Sequence, residues 1–269
     1  DYMLQSLVGL AQCGVGADTF LRLDEVRAEL QQRPTTAGSA LDTADRDESL
    51  GAWKDERGIQ FASAGAELVL ELIRDVQRKK PGPVHIGLPP GAKSERLVRE
   101  LASLLDNYLD APDLVVHALT PPHAVGRPDQ TPLAWLGLLK GTRCREVEWV
   151  NLPAEPICAT GKRPSDSSCA DVRRAYERID DLDLVVTSMA SYGDPHGHLS
   201  RHLESEDFRP TARELQRKSW VGEVLLQPYG ALGPIEIEEG PKPVTLLGLK
   251  DLARLAQQPN KHVVLLCGP

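Results

Sequence analysis

The sequence predicts an α/β fold: a doubly wound, mostly parallel sheet with helices on both faces, plus a small antiparallel hairpin near the C-terminus. Three observations predict it. From Ala64 onward, short apolar stretches of strand length alternate with amphipathic helical stretches. The strand stretches are almost continuously apolar, as in LDLVVTSMA (182–190), which is how strands covered on both faces read. Late in the chain, SWVGEVLLQPYGALGPIEIEEG (219–240) reads instead as strand, turn and strand, the pattern of a hairpin.

The elements follow in order. GAELVLELIRDVQRK (65–79) puts Leu68, Val69, Leu72, Ile73 and Val76 on one helical face. Its basic end, Arg78 to Lys80, is expected to be solvated. PVHIGL (83–88) is a short strand ended by PPGAKS (89–94). Ser94 is placed to cap a helix over ERLVRELASLLD (95–106), whose apolar face is Leu97, Val98, Leu101, Leu104 and Leu105. DLVVHAL (113–119) is the next strand, followed by the loop TPPHAVGRPDQ (120–130). TPLAWLGLLK reads as helix, REVEWVNL as strand and SSCADVRRAYERID as helix, leading into the buried strand LDLVVTSMA. After the hairpin come a helix in LLGLKDLARLAQQPN (246–260) and a last strand in KHVVLLCGP (261–269). The chain therefore divides into an N-terminal helical segment and mobile connection, residues 1–58, and an α/β domain, residues 59–269. No internal repeat is visible.

Composition excludes several function classes. With 269 residues, 41% hydrophobic and 26% charged, the chain can bury a core of ordinary size, and only 4% of it is aromatic. The net charge of −8 gives no footprint for nucleic acid. No apolar run approaches the roughly 20 residues of a membrane span. Cys13, Cys144, Cys158, Cys169 and Cys267 are odd in number and lack CxxC spacing, so they read as thiols in a reducing, cytoplasmic setting, mostly as small buried side chains. Cys144 lies between Arg143 and Arg145, which could lower its pKa. No signal peptide is read, and a start at Asp1 is consistent with a fragment or processed product.

Parallel sheets bind ligands at the carboxyl ends of their strands. The loops that directly follow strands are PPGAKS, TPPHAVG and SMASYGDPHGH. The last of these runs into DPHGHLSRH (194–202), where His196, His198 and His202 hold three of the chain's seven histidines. Their spacing suits a metal on a strand or a helix, but Asp194 is the only nearby carboxylate that could join easily, and Gly193, Pro195 and Gly197 make the backbone loop-like. No metal is expected, and the stretch reads as a polar loop at the mouth of the crevice, either solvated or, from its position after the strand, contacting a ligand. GVGAD (14–18) lacks a preceding strand and a third glycine, so it reads as a turn. GKRPSDSS (161–168) reads as an exposed loop.

The final third resembles the closing segment of the sugar-binding effector domains of SorC/DeoR-type bacterial transcription regulators. Gly222-Glu223, Gly233-Pro234, LGLKDLARL and Cys267-Gly268-Pro269 follow one another in that family's order. HIGLPPGAKSERLVREL is similar to its phosphate-binding loop opening a helix, and LDLVVTSMASYGD to its apolar strand and loop. The resemblance covers about Ala64 to Pro269. It implies a fold shared with ribose-5-phosphate isomerase, glucosamine-6-phosphate isomerase and the CoA transferases. It also implies a phosphorylated sugar or similar anionic metabolite as partner, a homo-oligomer, and DNA contact only through a helix-turn-helix module that is not evident here. The departures are Pro89 and Pro90, which remove backbone donors, and Ser188, Ala190 and Ser191 in place of glycines.

The candidate ligand-binding residues are Gly91, Lys93, Ser94, Thr120, His123, Ser188, Ser191 and Glu223. No catalytic residue and no cofactor is expected. Glu223 lies in an apolar strand, and its pKa would shift if buried, but it lacks a partner acid. The primary expectation is a ligand sensor of transcription regulation whose strand-end loops reorder on binding. The alternatives are a phosphosugar isomerase or hydrolase of the same fold, and a sensor-derived protein-interaction module without a ligand.

Overall fold

A computed structural model describes residues 56–121, 131–158, 169–194, 197–204, 206–238 and 240–266. The readings of GVGAD, GKRPSDSS, His123, His196, Cys13 and Cys267 lie outside the described residues.

The first helix, α1 (Glu56–Lys79), starts earlier than the apolar periodicity alone suggests. Its buried stripe is Ala66, Val69, Leu70, Ile73 and Val76. Burying each of the larger side chains contributes about 1.5–3 kcal/mol. The chain then forms β1 (Val84–Leu88), α2 (Ala92–Asp106), β2 (Leu114–Ala118), α3 (Pro132–Lys140) and β3 (Val147–Val150). A two-residue β4 (Ile157–Cys158) precedes α4 (Ala170–Glu177) and the long β5 (Leu184–Ser191). Then come α5 (His198–Leu203), α6 (Arg209–Arg217), β6 (Trp220–Val224), β7 (Gln227–Gly230) and β8 (Gly233–Pro234). β9 (Lys242–Pro243), α7 (Leu249–Ala256) and β10 (His262–Leu266) complete the described chain.

β3, β2, β1 and β5 are neighbours in parallel register, and β10 lies parallel on the other edge of β5. Strand order thus runs outward from β1 in one direction and then restarts at β5 on its other side. This is the doubly wound arrangement expected from the sequence, with its topological switch point between β1 and β5.

Successive residues of the strands face opposite layers. Ile86, Val116, Leu184 and Val186 pack with α1, α2 and α3. Val115 and Val185 face the opposite way, with Val172 and Ala175 of α4 and Leu252 and Leu255 of α7.

The antiparallel part is larger than a hairpin. β5 outruns its parallel neighbours, and Met189, Ala190 and Ser191 pair antiparallel with Val224, Glu223 and Gly222 of β6. β7 and β8 continue the meander. β4 and β9 form a separate two-stranded sheet. At Gly222 the strands come so close that a β-carbon would lie 2.5 Å from the Ala190 carbonyl oxygen and 2.6 Å from the Tyr229 hydroxyl. Only glycine allows that approach.

Two polar features sit inside the parallel half. Asp183, 3% exposed, accepts hydrogen bonds from the His85 amide at 2.9 Å and from Lys80 Nζ at 2.6 Å. The basic end of α1 is therefore not simply solvated: Lys80 reaches in to a buried carboxylate. Beside it, His85 Nδ1 and His117 Nε2 are 3.0 Å apart in a buried pair. Burial depresses both imidazoles, that of His117 to about 3. Cys144 is buried, as the sequence reading expects of these cysteines, and burial raises its thiol pKa in spite of the flanking arginines. Cys169, at the start of α4, is exposed rather than a buried small side chain.

Candidate functional site

A cleft opens at the carboxyl ends of β1, β2 and β5, at the switch point. It encloses about 790 Å³, open solvent at its mouth included. Pro89 to Ser94 form one wall, Thr120 lies just past β2, and Thr187 to Ala190 form the β5 side. Asp194, His198, Glu223, Leu225 and Leu226 close it from the antiparallel part.

The first wall is the start of α2. Gly91 has φ 129°, a conformation that L side chains rarely adopt, and it turns the chain directly into the helix. The first intrahelical bond runs from the Glu95 amide to the Gly91 carbonyl, at 2.9 Å. The amides of Ala92, Lys93 and Ser94 thus precede the ladder, and the N-cap residue, Gly91, has no side chain to cap the helix. Ser94 is not the cap expected from the sequence. The glycine lets the helix begin at Ala92, which leaves Ser94 buried inside the first turn. Lys93 Nζ reaches across to the Met189 carbonyl oxygen at 3.4 Å. Thr120 is 2% exposed and its hydroxyl has no hydrogen-bond partner. A buried hydroxyl without a partner costs about 1–3 kcal/mol, so the cleft holds an unmet polar group beside an uncapped helix start. Helix starts of this kind favour anions.

The opposite wall is built around Glu223. It is 4% exposed, and the Leu199 amide donates to both its oxygens, at 3.0 and 2.8 Å. Burial pushes its pKa up to about 7, against the opposing effect of the α5 amides that bind it. Asp194 raises it further. The carboxylate fastens the first turn of α5, and Leu199 is buried beneath with Leu215, Leu226 and Ile237.

The polar loop expected over DPHGHLSRH is therefore partly helix: residues 198–203 form α5, which starts after Gly197. His198 lines the cleft, while His202 faces Phe208 at 6.1 Å between ring centroids. No cluster of three metal-ligating side chains occurs among the described residues. Leu225 and Leu226 form the two-residue turn between β6 and β7, both left-handed at φ 52° and 64°. Such turns favour glycine and asparagine. Here burial of both leucines offsets a backbone cost of about 1–2 kcal/mol each.

Of the residues expected from the sequence, Gly91, Lys93, Ser94, Thr120, Ser188 and Glu223 meet in this cleft. Ser191 does not line it: it lies exposed at the end of β5, paired with Gly222. His198, Asp194, Leu225 and Leu226 were not among the candidates. For His198 the only signal was the histidine-rich stretch itself, and its side of the cleft is set by tertiary contacts.

A doubly wound sheet with an antiparallel extension and a strand-end cleft defines an α/β architecture. Among solved structures, the fold is similar to a DeoR family transcriptional regulator from Listeria monocytogenes, with TM-score 0.53 and 16% identity over 80% of this chain and 76% of that one. It is similar to a transcriptional regulator from Streptococcus pneumoniae TIGR4, with TM-score 0.50 and 14% identity over 78% and 83%. It is also similar to a domain of a transcriptional repressor from Vibrio fischeri described as sugar-binding, with TM-score 0.50 and 10% identity over 79% and 86%. At these identities the likeness is one of fold, and the resemblance to SorC/DeoR-type regulators holds at that level. No protein-family model matches the sequence, and no curated protein matches it. No helix of the described residues is long and apolar enough to cross a membrane.

Proposed function

We propose that the chain is the ligand-sensing effector domain of a transcription regulator, binding a phosphorylated sugar or a related small anionic metabolite in the strand-end cleft. One observation carries this: the uncapped start of α2, with Lys93, faces the same cleft as the buried, unpartnered Thr120 hydroxyl. An anionic group there would meet the start of α2 and Lys93, and Thr120 would find its partner in the ligand. Gly91, Lys93, Ser94, Thr120 and Ser188 form the binding set, and His123, outside the described residues, is proposed with them. The domain unit is residues 59–269, and it works in the cytoplasm as a homo-oligomer whose subunit contacts respond to the ligand. The fold shared with transcription regulators supports this role, and any DNA contact belongs to a separate module.

Thermal-shift titration with a panel of sugar phosphates tests the reading. Stabilisation should grow with concentration, by about 2.7 kcal/mol at a hundred times Kd. A flat response across the panel would overturn it.

A second reading, a phosphosugar isomerase or hydrolase, is favoured by the raised pKa of Glu223 beside His198 in the cleft. Turnover of a phosphosugar that disappears in Glu223→Gln would support it. Against it, both Glu223 oxygens accept the Leu199 amide, which makes the residue a fastening for α5.

A further inference from the structure

We propose that His198 is an anion-contacting residue of the cleft: its imidazole closes over the start of α2 and holds the ligand's anionic group against the helix amides from the opposite side. The inference rests on the reading of the cleft as an anion site and adds a residue that neither the sequence motifs nor the fold likeness assigns. Its warrant is geometric. A β-carbon built on Gly91 would lie 3.2 Å from His198 Nε2, so the ring stands directly over the turn from which α2 departs. An oxyanion bound by the amides of residues 92–94 lies within reach of that nitrogen.

The ring's position is fixed from below. Glu223 binds the Leu199 amide through both oxygens, and the Leu199 side chain is 1% exposed. Neither can shift without exposing buried groups, so α5 presents His198 from a rigid first turn. Glu223 is thus the positioning residue and His198 the contacting one.

The charge layout gives the ligand a direction. Lys93 lies at the α2 end, whereas Asp194 and Glu223 line the other wall. An anionic group is favoured beside Lys93 and His198 and disfavoured beside the carboxylates. The hydroxyl-bearing body of the ligand therefore faces Asp194 and Glu223. Gly91 serves the same arrangement: a side chain there would push against the imidazole and narrow the gap where the anion sits.

The test is a titration of the protein with inorganic phosphate at constant ionic strength. It is read by the ring carbon–proton NMR signals of the histidines and by thermal shift. The His198 signal is identified by its loss in His198→Gln. Phosphate should move the His198 signal, and His198→Gln and His198→Ala should weaken phosphate binding about tenfold. His202→Ala, on the same helix but facing Phe208, should bind as the wild type does. Glu223→Ala should weaken binding and leave the His198 signal insensitive to phosphate, and Glu223→Gln, which keeps an acceptor for the Leu199 amide, should restore much of the response. If phosphate stabilises the wild type while the His198 signal stays still and both His198 variants bind normally, the clamp is wrong and the anion site stands. If phosphate neither stabilises the wild type nor moves any histidine signal, the clamp and the anion-site reading fall together.

Discussion

The buried His85–His117 pair and the wall of half-buried His198 and buried Glu223 are ionisable clusters placed in different parts of the sheet. The first lies inside the parallel half, where each ring is the other's partner and burial holds both neutral. The second lies where β5 leaves its parallel neighbours, and its carboxylate fastens a helix that borders open space. In the parallel half the two imidazoles close on each other and stay uncharged. The antiparallel extension holds a group poised near neutrality beside a cleft. Burial alone does not mark a site: His117 is 0% exposed with an unpartnered Nδ1, yet it does not line the cleft. Thr120 is almost as buried and does.

The largest expected effect comes from the seam between the two halves. Gly222→Ala would drive a β-carbon into the Ala190 carbonyl and the Tyr229 hydroxyl. It should cost about 3 kcal/mol in urea unfolding and remove ligand stabilisation, because β6 carries Glu223.

Next is pH, where the two clusters act in opposite directions. The folded pKa of His117 lies well below its ordinary value of 6.5. Between about pH 3 and 6.5 the unfolded chain therefore holds a proton there that the folded chain lacks. That contribution is complete above 6.5 and is lost as pH falls, by about 1.4 kcal/mol per pH unit. His85, also depressed by burial, acts in the same direction. Glu223 is raised from 4.5 to about 7, so its contribution is complete below 4.5 and is lost as pH rises toward 7. Between about pH 4.5 and 6.5 the two slopes oppose each other. Glu223→Gln should uncover stability that rises with pH in this window, and His117→Gln should shift the slope toward stability that falls with pH. Urea midpoints measured across the window check both. Identical slopes in the two variants would mean that the clusters do not differ as described.

The smallest effect is expected at the Leu225-Leu226 turn. Replacing the pair by Asn-Gly relieves the left-handed backbone but gives up two buried side chains. The net change should be a loss of about 1–2 kcal/mol in thermal unfolding.

Much of the parallel half was legible in the sequence, because runs such as LDLVVTSMA and the stripe through Val69, Ile73 and Val76 record burial locally. The positions of Gly91, Lys93, Ser94 and Thr120 followed from the rule that strand-end loops form the site. What could not be read depends on contacts between distant segments. The extra residues of β5 pair only because Gly222 admits β6, and the approach of His198 to Gly91 joins positions 107 residues apart (198 − 91). The early start of α2 turns on one backbone angle at Gly91. The His85–His117 pair left no pattern, since each histidine sits singly in an apolar strand. The leucine turn runs against local preference and is held by the core beneath it.

The central claim is that ligand chemistry belongs to the cleft and not to the buried histidine pair. Amide and histidine NMR signals recorded during titration with a stabilising sugar phosphate test it most directly. Shifts are expected at residues 92–94, Thr120 and His198, with His85 and His117 unmoved. Shifts centred on His85 and His117, or stabilisation with the cleft amides unchanged, would contradict it.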